Sequence, residues 1–292
     1  MKALLLTGLL FILILPGCRK ETSILPLLQS VEELIPMYAD SASVLLDSIQ
    51  APDELTDKDF AHWCMLCGKV TDEAATGLLP IYQWQRAQQW FTEHGTAEEQ
   101  AQIDLYLGRA YVEDGEYDKA MQIYADALQL AKEHQAYNVA GYICAYMADL
   151  YGFRDITSEC LKKREEACEF FKKAENYKSY AYSLKDLAGE WAILDSFACT
   201  IPLLQKADSI SQLLHNKNLT AAIANAFALI YEMQGKYNEA ETAYLKAIST
   251  RSEESYKDSI GLLKVYIKNN KLGKAYELIK AITVHNLSLI HI

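Results

Sequence analysis

The sequence predicts an all-α solenoid built from antiparallel helix pairs that repeat about every 40 residues. Three observations support this fold class. Apolar residues recur at i, i+3, i+4 and i+7 among residues of high helix propensity, as they do in amphipathic helices. A shift of 40 aligns the chain on itself, so that small and large residues fall in separate columns. The composition, 51% apolar and 23% charged, is typical of a packed globular protein and not of a low-complexity one.

The first seventeen residues predict an export signal that lies outside the fold. Lys2 precedes the apolar run Ala3 to Pro16, which is too short to span a bilayer comfortably and has the length of a secretory core. The run ends at Leu15-Pro16-Gly17-Cys18, which resembles the lipobox of bacterial lipoproteins. That resemblance implies a lipid on Cys18 and a mature chain that begins there. An ordinary signal peptide with an incidental cysteine is the alternative.

The mature chain is predicted to start with two short segments that precede the repeats. Residues 18–24 form a tether, and residues 25–58 form an N-terminal helical pair that is interrupted near Pro36.

The repeats are visible as columns spaced by 40 residues. Five alanines share one column, which chance would produce in about one sequence in a thousand. Its members are Ala87, Ala127, Ala167, Ala207 and Ala247. A second column holds only small residues, Gly68, Gly108, Ala148, Ala188 and Ala228, and a third holds aromatic ones, Tyr111, Tyr151, Trp191 and Tyr231. Alternation of small and large residues at fixed offsets is what interlocking helices require.

Two stretches place these columns in a recognisable order. Leu107-Gly108-Arg109-Ala110-Tyr111 is followed by Gly115, Tyr117, Ala120, Tyr124 and Ala127, and the same order returns as Tyr231, Gly235, Tyr237, Ala240, Tyr244 and Ala247. Both stretches resemble the tetratricopeptide repeat. The resemblance implies a right-handed solenoid over residues 59–286, with units at about 59–97, 98–137, 138–177, 178–217 and 218–256 and a sixth unit offset by 35. The six residues beyond the usual period of 34 are assigned to longer helices and longer turns between repeats.

The last six residues, Leu287 to Ile292, are predicted to be foreign to the protein. They read LSLIHI, which the sequencing adapter CTGTCTCTTATACACATC encodes in this frame. A solenoid also needs a capping element with a polar outer face, and the sequence ends on apolar residues instead. The prediction is therefore that the natural protein continues past residue 286, and a natural tail of six residues is the alternative.

Charge and motifs exclude several functions. The chain has 28 Lys and Arg against 39 Asp and Glu, a net charge of −11, which argues against nucleic-acid binding. The signatures GxSxG, HExxH, GxxxxGK[ST] and GxGxxG are absent from the sequence. Cys64 and Cys67 form a lone CxxC without the second pair that a zinc site needs. No catalytic residue, metal or cofactor is predicted, and the chain is not expected to be an enzyme.

The resemblance implies that the first helix of each unit lines a concave surface. The candidate partner-binding residues on that surface are Lys69, Arg109, Tyr142, Tyr146, Tyr182, Lys185 and Asn225. Some family members grip a terminal carboxylate with Lys and Asn, but Gly189 stands one turn after Lys185 where that pattern has Asn.

The predicted function is a membrane-tethered module of the bacterial cell envelope that binds a peptide or protein outside the cytoplasm. A resemblance to longer repeat proteins implies the periplasmic sensor half of a signalling regulator. The alternatives are an assembly scaffold for outer-membrane proteins and a glycan-binding lipoprotein of nutrient uptake.

Overall fold

The computed structural model describes residues 24–74, 76–251 and 256–290, with side chains up to residue 283. Cys18, the predicted signal peptide and nearly all of the predicted tether lie outside the described residues, as do residues 291–292. Within the described ranges the regular structure is entirely helical. The helices are α1 (Leu25–Asp47), α2 (Asp57–Ala74), α3 (Ile81–His94), α4 (Ala97–Glu113), α5 (Tyr117–Glu133), α6 (Tyr137–Phe153), α7 (Thr157–Lys173), α8 (Tyr177–Ile193), α9 (Phe197–Leu213), α10 (Lys217–Met233), α11 (Tyr237–Thr250), α12 (Tyr256–Lys268) and α13 (Leu272–Ile290).

The predicted solenoid of helix pairs is confirmed. Helices α2 to α13 form six consecutive pairs that match the predicted units, and each helix packs on the next helix in the chain. From α4 to α11 a new helix begins every 20 residues. Each helix from α4 to α10 has 17 residues and each connection has three. The turns between repeats are therefore no longer than those within them, and the extra length over a 34-residue repeat lies in the helices alone.

The three-residue connections share one backbone geometry. Their middle residues have positive φ and are Gly115, Gln135, Asp155, Glu175, Asp195, His215 and Gly235, and the connection between α12 and α13 repeats the geometry with Asn270. After this residue, the next N–H donates to a carbonyl five positions back, for example Glu116 to Tyr111 at 2.8 Å and Lys236 to Tyr231 at 2.8 Å. This is the Schellman ending of a helix, in which a left-handed residue closes the last turn.

The small-residue columns lie in the core between helices, and the half-buried aromatic column packs against it. The signature alanines are all buried. An added Cβ on Gly68 would lie 2.3 Å from the ring of Tyr106, and one on Gly108 would lie 2.3 Å from the ring of Tyr124. These glycines therefore allow a fully buried aromatic ring to rest directly on the backbone of a neighbouring helix.

The structure shows a further small-residue column that sequence inspection missed. All its members are buried first-helix residues: Ala61, Ala101, Gly141, Ala181, Ala221 and Gly261. Gly261 follows Ala221 by 40 residues, so the sixth unit starts in the same register as the others. Later in this unit the spacing is 35 residues: Tyr266 corresponds to Tyr231, and Leu272 corresponds to Tyr237. The offset of 35 therefore arises inside α12, which has 13 residues against 17 in α10.

The N-terminal segment is interrupted near Pro36, as predicted. Its helix, α1, consists of two helical halves that meet at a kink at Tyr38, where φ is −140° and ψ is 54°, two residues after Pro36. A short 3-10 turn, Pro52–Glu54, then leads into α2. Proline removes one helical hydrogen bond and crowds the preceding turn, which accounts for the kink. The described helices include none that is long and apolar enough to cross a membrane.

Candidate binding groove

A central cavity of about 400 Å³ lies where the first helices of four successive units converge. Asp72 and Glu73 reach it from the end of α2, Arg109 from α4, Tyr142 and Tyr146 from α6, and Tyr182 from α8. The first helices can line one surface because each unit packs chiefly on its neighbours and places its first helix beside the previous one.

Arg109 is the centre of an electrostatic network in this cavity. Its guanidinium forms an ion pair with Asp72, and the hydroxyl of Tyr106 donates to the same carboxylate at 2.9 Å. The guanidinium also lies 4.9 Å from the ring centroid of Tyr146. Burial raises the pKa of Asp72, and the charge of Arg109 offsets part of that rise. The network fixes the guanidinium in the cavity wall, where Tyr146 and Asp72 hold it between them.

A salt bridge closes one side of the central cavity. The Nζ atom of Lys178, at the start of α8, lies 2.8 Å from Oε2 of Glu73 at the end of α2. These residues are 105 positions apart in the chain, so the contact joins the first pair to the fourth. Beside it, the hydroxyls of Tyr142 and Ser179 form a hydrogen bond of 2.8 Å.

A larger cavity of about 770 Å³, the C-terminal cavity, follows along α8, α10 and α12. Lys185 and Asn225 line it, as the sequence predicted for the concave surface. Asn225 donates to Oδ1 of Asp258 at 2.5 Å, and Arg251 donates to Oδ2 of the same residue at 3.0 Å. Asp258 is 1% exposed, so both donors are committed to a buried carboxylate.

Arg164 connects the two cavities. It lies on the second helix α7, in the column that holds Tyr124 and Tyr244 in other units, and its side chain is 12% exposed. Its guanidinium lies 2.6 Å from Asp149 and 3.5 Å from Glu190. Arg164 therefore replaces the packing tyrosine of other units, and its side chain lines both the central and the C-terminal cavity. We call the two cavities together the inner groove.

The predicted partner-binding residues divide among three places. Arg109, Tyr142, Tyr146 and Tyr182 lie together in the central cavity, and Lys185 and Asn225 lie in the C-terminal cavity. Lys69 lies apart, in a separate depression under α1, where its ammonium is 2.8 Å from Glu32. Lys185 forms an ion pair with the adjacent Asp186.

The sequence analysis missed the acidic half of the groove. Asp149 occupies the column of Arg109, and Asp186 occupies the column of Tyr146, so the repeat register pointed to both positions. Glu73 and Lys178 had no such signal, because their contact depends on how four units stack.

The cysteines are free thiols in the described chain. Cys64 is buried, Cys67 is half-buried, and no disulfide joins them. Burial raises the pKa of both thiols far above the usual value, so neither is a reactive thiolate near neutral pH. Cys160 is 0% exposed and occupies the column that holds Ala120 and Ala240 in other units. Among the described residues, no group of three or more His, Cys, Asp or Glu is placed to hold a metal ion.

Solved structures of similar fold are all distant in sequence. Aspartyl phosphate phosphatase F from Bacillus subtilis is 15% identical with a TM-score of 0.60, covering 94% of this chain and 77% of that one. A Rap protein complexed with competence and sporulation factor is 17% identical with a TM-score of 0.62, covering 88% and 74%. NprR in complex with its cognate peptide NprX is 14% identical with a TM-score of 0.58, covering 89% and 78%. At these identities the likeness establishes the fold alone, and no curated protein matches the sequence.

Two family models supply the remaining information on identity. Models described as tetratricopeptide repeat match residues 107–135 and 220–254. These are the stretches in which the small and aromatic columns are complete, and each contains the turn between the two helices of one pair. The chain therefore contains tetratricopeptide repeats within its helical solenoid.

Proposed function

We propose that this protein binds a peptide or a segment of a partner protein in the inner groove. The observation that carries the proposal is the pair of cavities, about 400 and 770 Å³, that follow the first helices and share Arg164. Volumes of several hundred Å³ with convergent polar groups are typical of ligand sites. The similar structures of Rap with its factor and NprR with its peptide support a peptide ligand.

The groove chemistry suits recognition of a peptide. Tyr142, Tyr146 and Tyr182 offer flat apolar area together with hydroxyl groups, which is the combination favoured at interaction surfaces. Arg109 and Arg164 are held by carboxylates before any ligand arrives, so a partner meets a largely ordered surface. The proposal is for binding and not for catalysis.

A pull-down from envelope extract tests this function with two matched variants on one helix. Tyr182→Ala removes a groove side chain of α8, whereas Tyr177→Ala removes a 48% exposed tyrosine of α8 that lines neither cavity. We expect the unaltered protein and the Tyr177 variant to enrich the same partner, and the Tyr182 variant to lose it. Equal capture by all three proteins, or no enrichment at all, would contradict the proposal.

We also propose that the module is tethered to a membrane of the cell envelope through a lipid on Cys18. The lipobox-like Leu15 to Cys18 supports this location. Replacing Cys18 with Ser should release the protein from the membrane fraction when cells are fractionated. Unchanged membrane association of the variant would contradict the lipid anchor.

A role as the extracytoplasmic sensor of a signalling regulator follows from the same arrangement of anchor and repeats. The test is the reading frame downstream of residue 286, determined by long reads without adapters. A membrane-spanning helix followed by a cytoplasmic regulatory domain supports the sensor. A polar capping helix and a stop codon would contradict it and leave a self-contained envelope module.

A further inference from the structure

We propose that the C-terminal cavity selects acidic peptide segments in which carboxylates accompany large apolar side chains. This inference rests on the proposed function of the inner groove and specifies the chemistry of its ligand.

The cavity is locally cationic in an acidic protein. Among the described residues, six cations line it, namely Arg164, Lys185, Arg251, Lys257, Lys264 and Lys268. The described carboxylates that line it are Asp186, Glu190, Glu232 and Asp258. Of the described lining residues, the cations therefore exceed the carboxylates by two, although the whole chain carries a net charge of −11. A concave wall of one sign concentrates the opposite charge and steers ligands that carry it.

Two of these lysines are not paired with a carboxylate among the described residues. Lys257 and Lys264 make no ion pair or hydrogen bond within the described chain, whereas the other four cations each contact a carboxylate. Lys257 lies in the first turn of α12, where the helix dipole disfavours a positive charge. Lys264 follows seven residues later on the same face, about 10 Å along the helix axis. Their charges are therefore available to a ligand.

A second wall of the cavity, on α8 and α10, carries accessible apolar side chains. Ile193 at the end of α8 is 69% exposed, and Leu229 and Met233 on α10 are 48% and 52% exposed. All three line the cavity beside the buried Leu204 and Ile230. Large apolar side chains gathered in a concave surface with a polar rim are typical of protein interaction sites.

The two walls together favour an acidic peptide over a polyanion. A polyphosphate or sulfated glycan would pair with the lysines but would leave the apolar wall in contact with water. A peptide with carboxylates on one side and Leu, Ile, Phe or Met on the other satisfies both walls, as electrostatic complementarity and apolar burial require.

A displayed library of random 12-residue peptides, selected on the full chain, tests the inference. We expect the enriched peptides to carry at least two Asp or Glu together with large apolar residues. In fluorescence anisotropy, Lys257→Glu combined with Lys264→Glu should weaken the binding of these peptides at least about tenfold. The control, Lys58→Glu combined with Lys217→Glu, changes the net charge equally at exposed sites that line neither cavity and should leave binding unchanged.

The apolar wall is tested with the same labelled peptides. Leu229→Gln combined with Met233→Gln alters only exposed residues and should also weaken binding about tenfold, while polyphosphate should compete poorly. Enriched peptides that bind the groove but are neutral or basic would overturn this inference and leave the proposed function standing. Binding that survives both pairs of substitutions, or that polyphosphate abolishes, would overturn it as well. A library that yields no groove-binding peptide would overturn both.

Discussion

Single residues decide how closely the helices of this array approach. Gly68, Gly108 and Gly261 lie in helix interiors, where glycine is costly compared with alanine, yet each supports an aromatic ring. Tyr124 and Tyr244, which rest on two of them, are at most 1% exposed. Burial of such a side chain stabilises the fold by about 2–3 kcal/mol, which exceeds the cost of about 1 kcal/mol for the glycine.

The first prediction compares two glycines of the first helices. Gly108→Ala should lower the free energy of unfolding by about 1–3 kcal/mol, since the new Cβ would lie 2.3 Å from the ring of Tyr124. Gly189→Ala should raise it by about 0.5–1 kcal/mol, since nothing lies within 4 Å of that Cβ. Urea unfolding followed by circular dichroism measures both changes. Equal effects of the two substitutions would show that the packing contact is unimportant.

A second prediction concerns pH. Burial raises the pKa of Asp104 to about 6, although Gln88 donates a hydrogen bond to it at 2.7 Å. The folded state therefore keeps a proton that the unfolded state loses near pH 4, and this group makes the protein less stable as the pH rises from about 4 to 6. Asp104→Asn retains the acceptor and removes the charge, so it should stabilise the protein by about 1–3 kcal/mol at pH 7.

The measurement is the free energy of unfolding at pH 4 and pH 7 for both proteins. The two should nearly agree at pH 4, where the carboxyl is protonated in the folded state and about half protonated in the unfolded state. A variant that is less stable at pH 7, or equally stabilised at both values, would show that Asp104 is held as an ordinary carboxylate.

At the scale of the element, the array is a succession of identical helix endings. Eight three-residue connections place one residue at positive φ, and only Gly115 and Gly235 among them are glycines. In the other six, a residue with a Cβ adopts a conformation that costs about 1 kcal/mol relative to glycine. The regular 20-residue spacing therefore holds in spite of residues such as Gln135 and Glu175, because the packed helices on both sides fix the turn.

The third prediction is that substitutions in two of these turns change the stability with opposite signs. Gly115→Ala should destabilise the protein by about 1 kcal/mol. The added Cβ would contact no neighbouring atom, but the turn holds this residue at a φ of 80°, which is strained for alanine. Glu175→Gly should stabilise it by about 0.5–1 kcal/mol, because the exposed Glu175 has φ of 55°. Thermal unfolding of both variants checks the signs. A destabilised Glu175 variant would mean that the flexibility glycine adds to the unfolded chain outweighs the relief of strain.

At the scale of the whole molecule, stability comes from contacts between neighbouring helices. The apolar core runs along the stack in several clusters, the largest of which extends from α4 to α10 through contacts between successive helices. The bridge between Glu73 and Lys178 is different, since it joins pairs that are not neighbours and bounds the central cavity. Both side chains are 40% or more exposed, so solvent screens the attraction.

The fourth prediction is that this bridge shapes the groove more than it stabilises the fold. A double-mutant cycle with Glu73→Gln and Lys178→Gln should give a coupling energy below about 1 kcal/mol that shrinks in high salt. The local pair Lys162 and Glu159 on α7 serves as a control for exposed charges. A coupling of several kcal/mol would instead make the bridge a main support of the array.

Sequence alone determined the all-helical solenoid and its repeat period of about 40 residues. Small residues such as Gly68 and Gly108 and aromatic ones such as Tyr111 and Tyr231 recur at a fixed interval, because every unit meets its neighbour through the same contact. Pro36 also indicated the interruption that the structure shows at Tyr38 in α1.

Only the tertiary structure decided which charged groups meet in the groove. Glu73 and Lys178 are 105 residues apart, and their contact depends on rotations that add up over four units. Arg164 breaks an aromatic column, so its sequence position gave no sign that it would join two cavities. A repeat period records the contacts between neighbouring units, whereas the shape and charge of the groove are properties of the stacked whole.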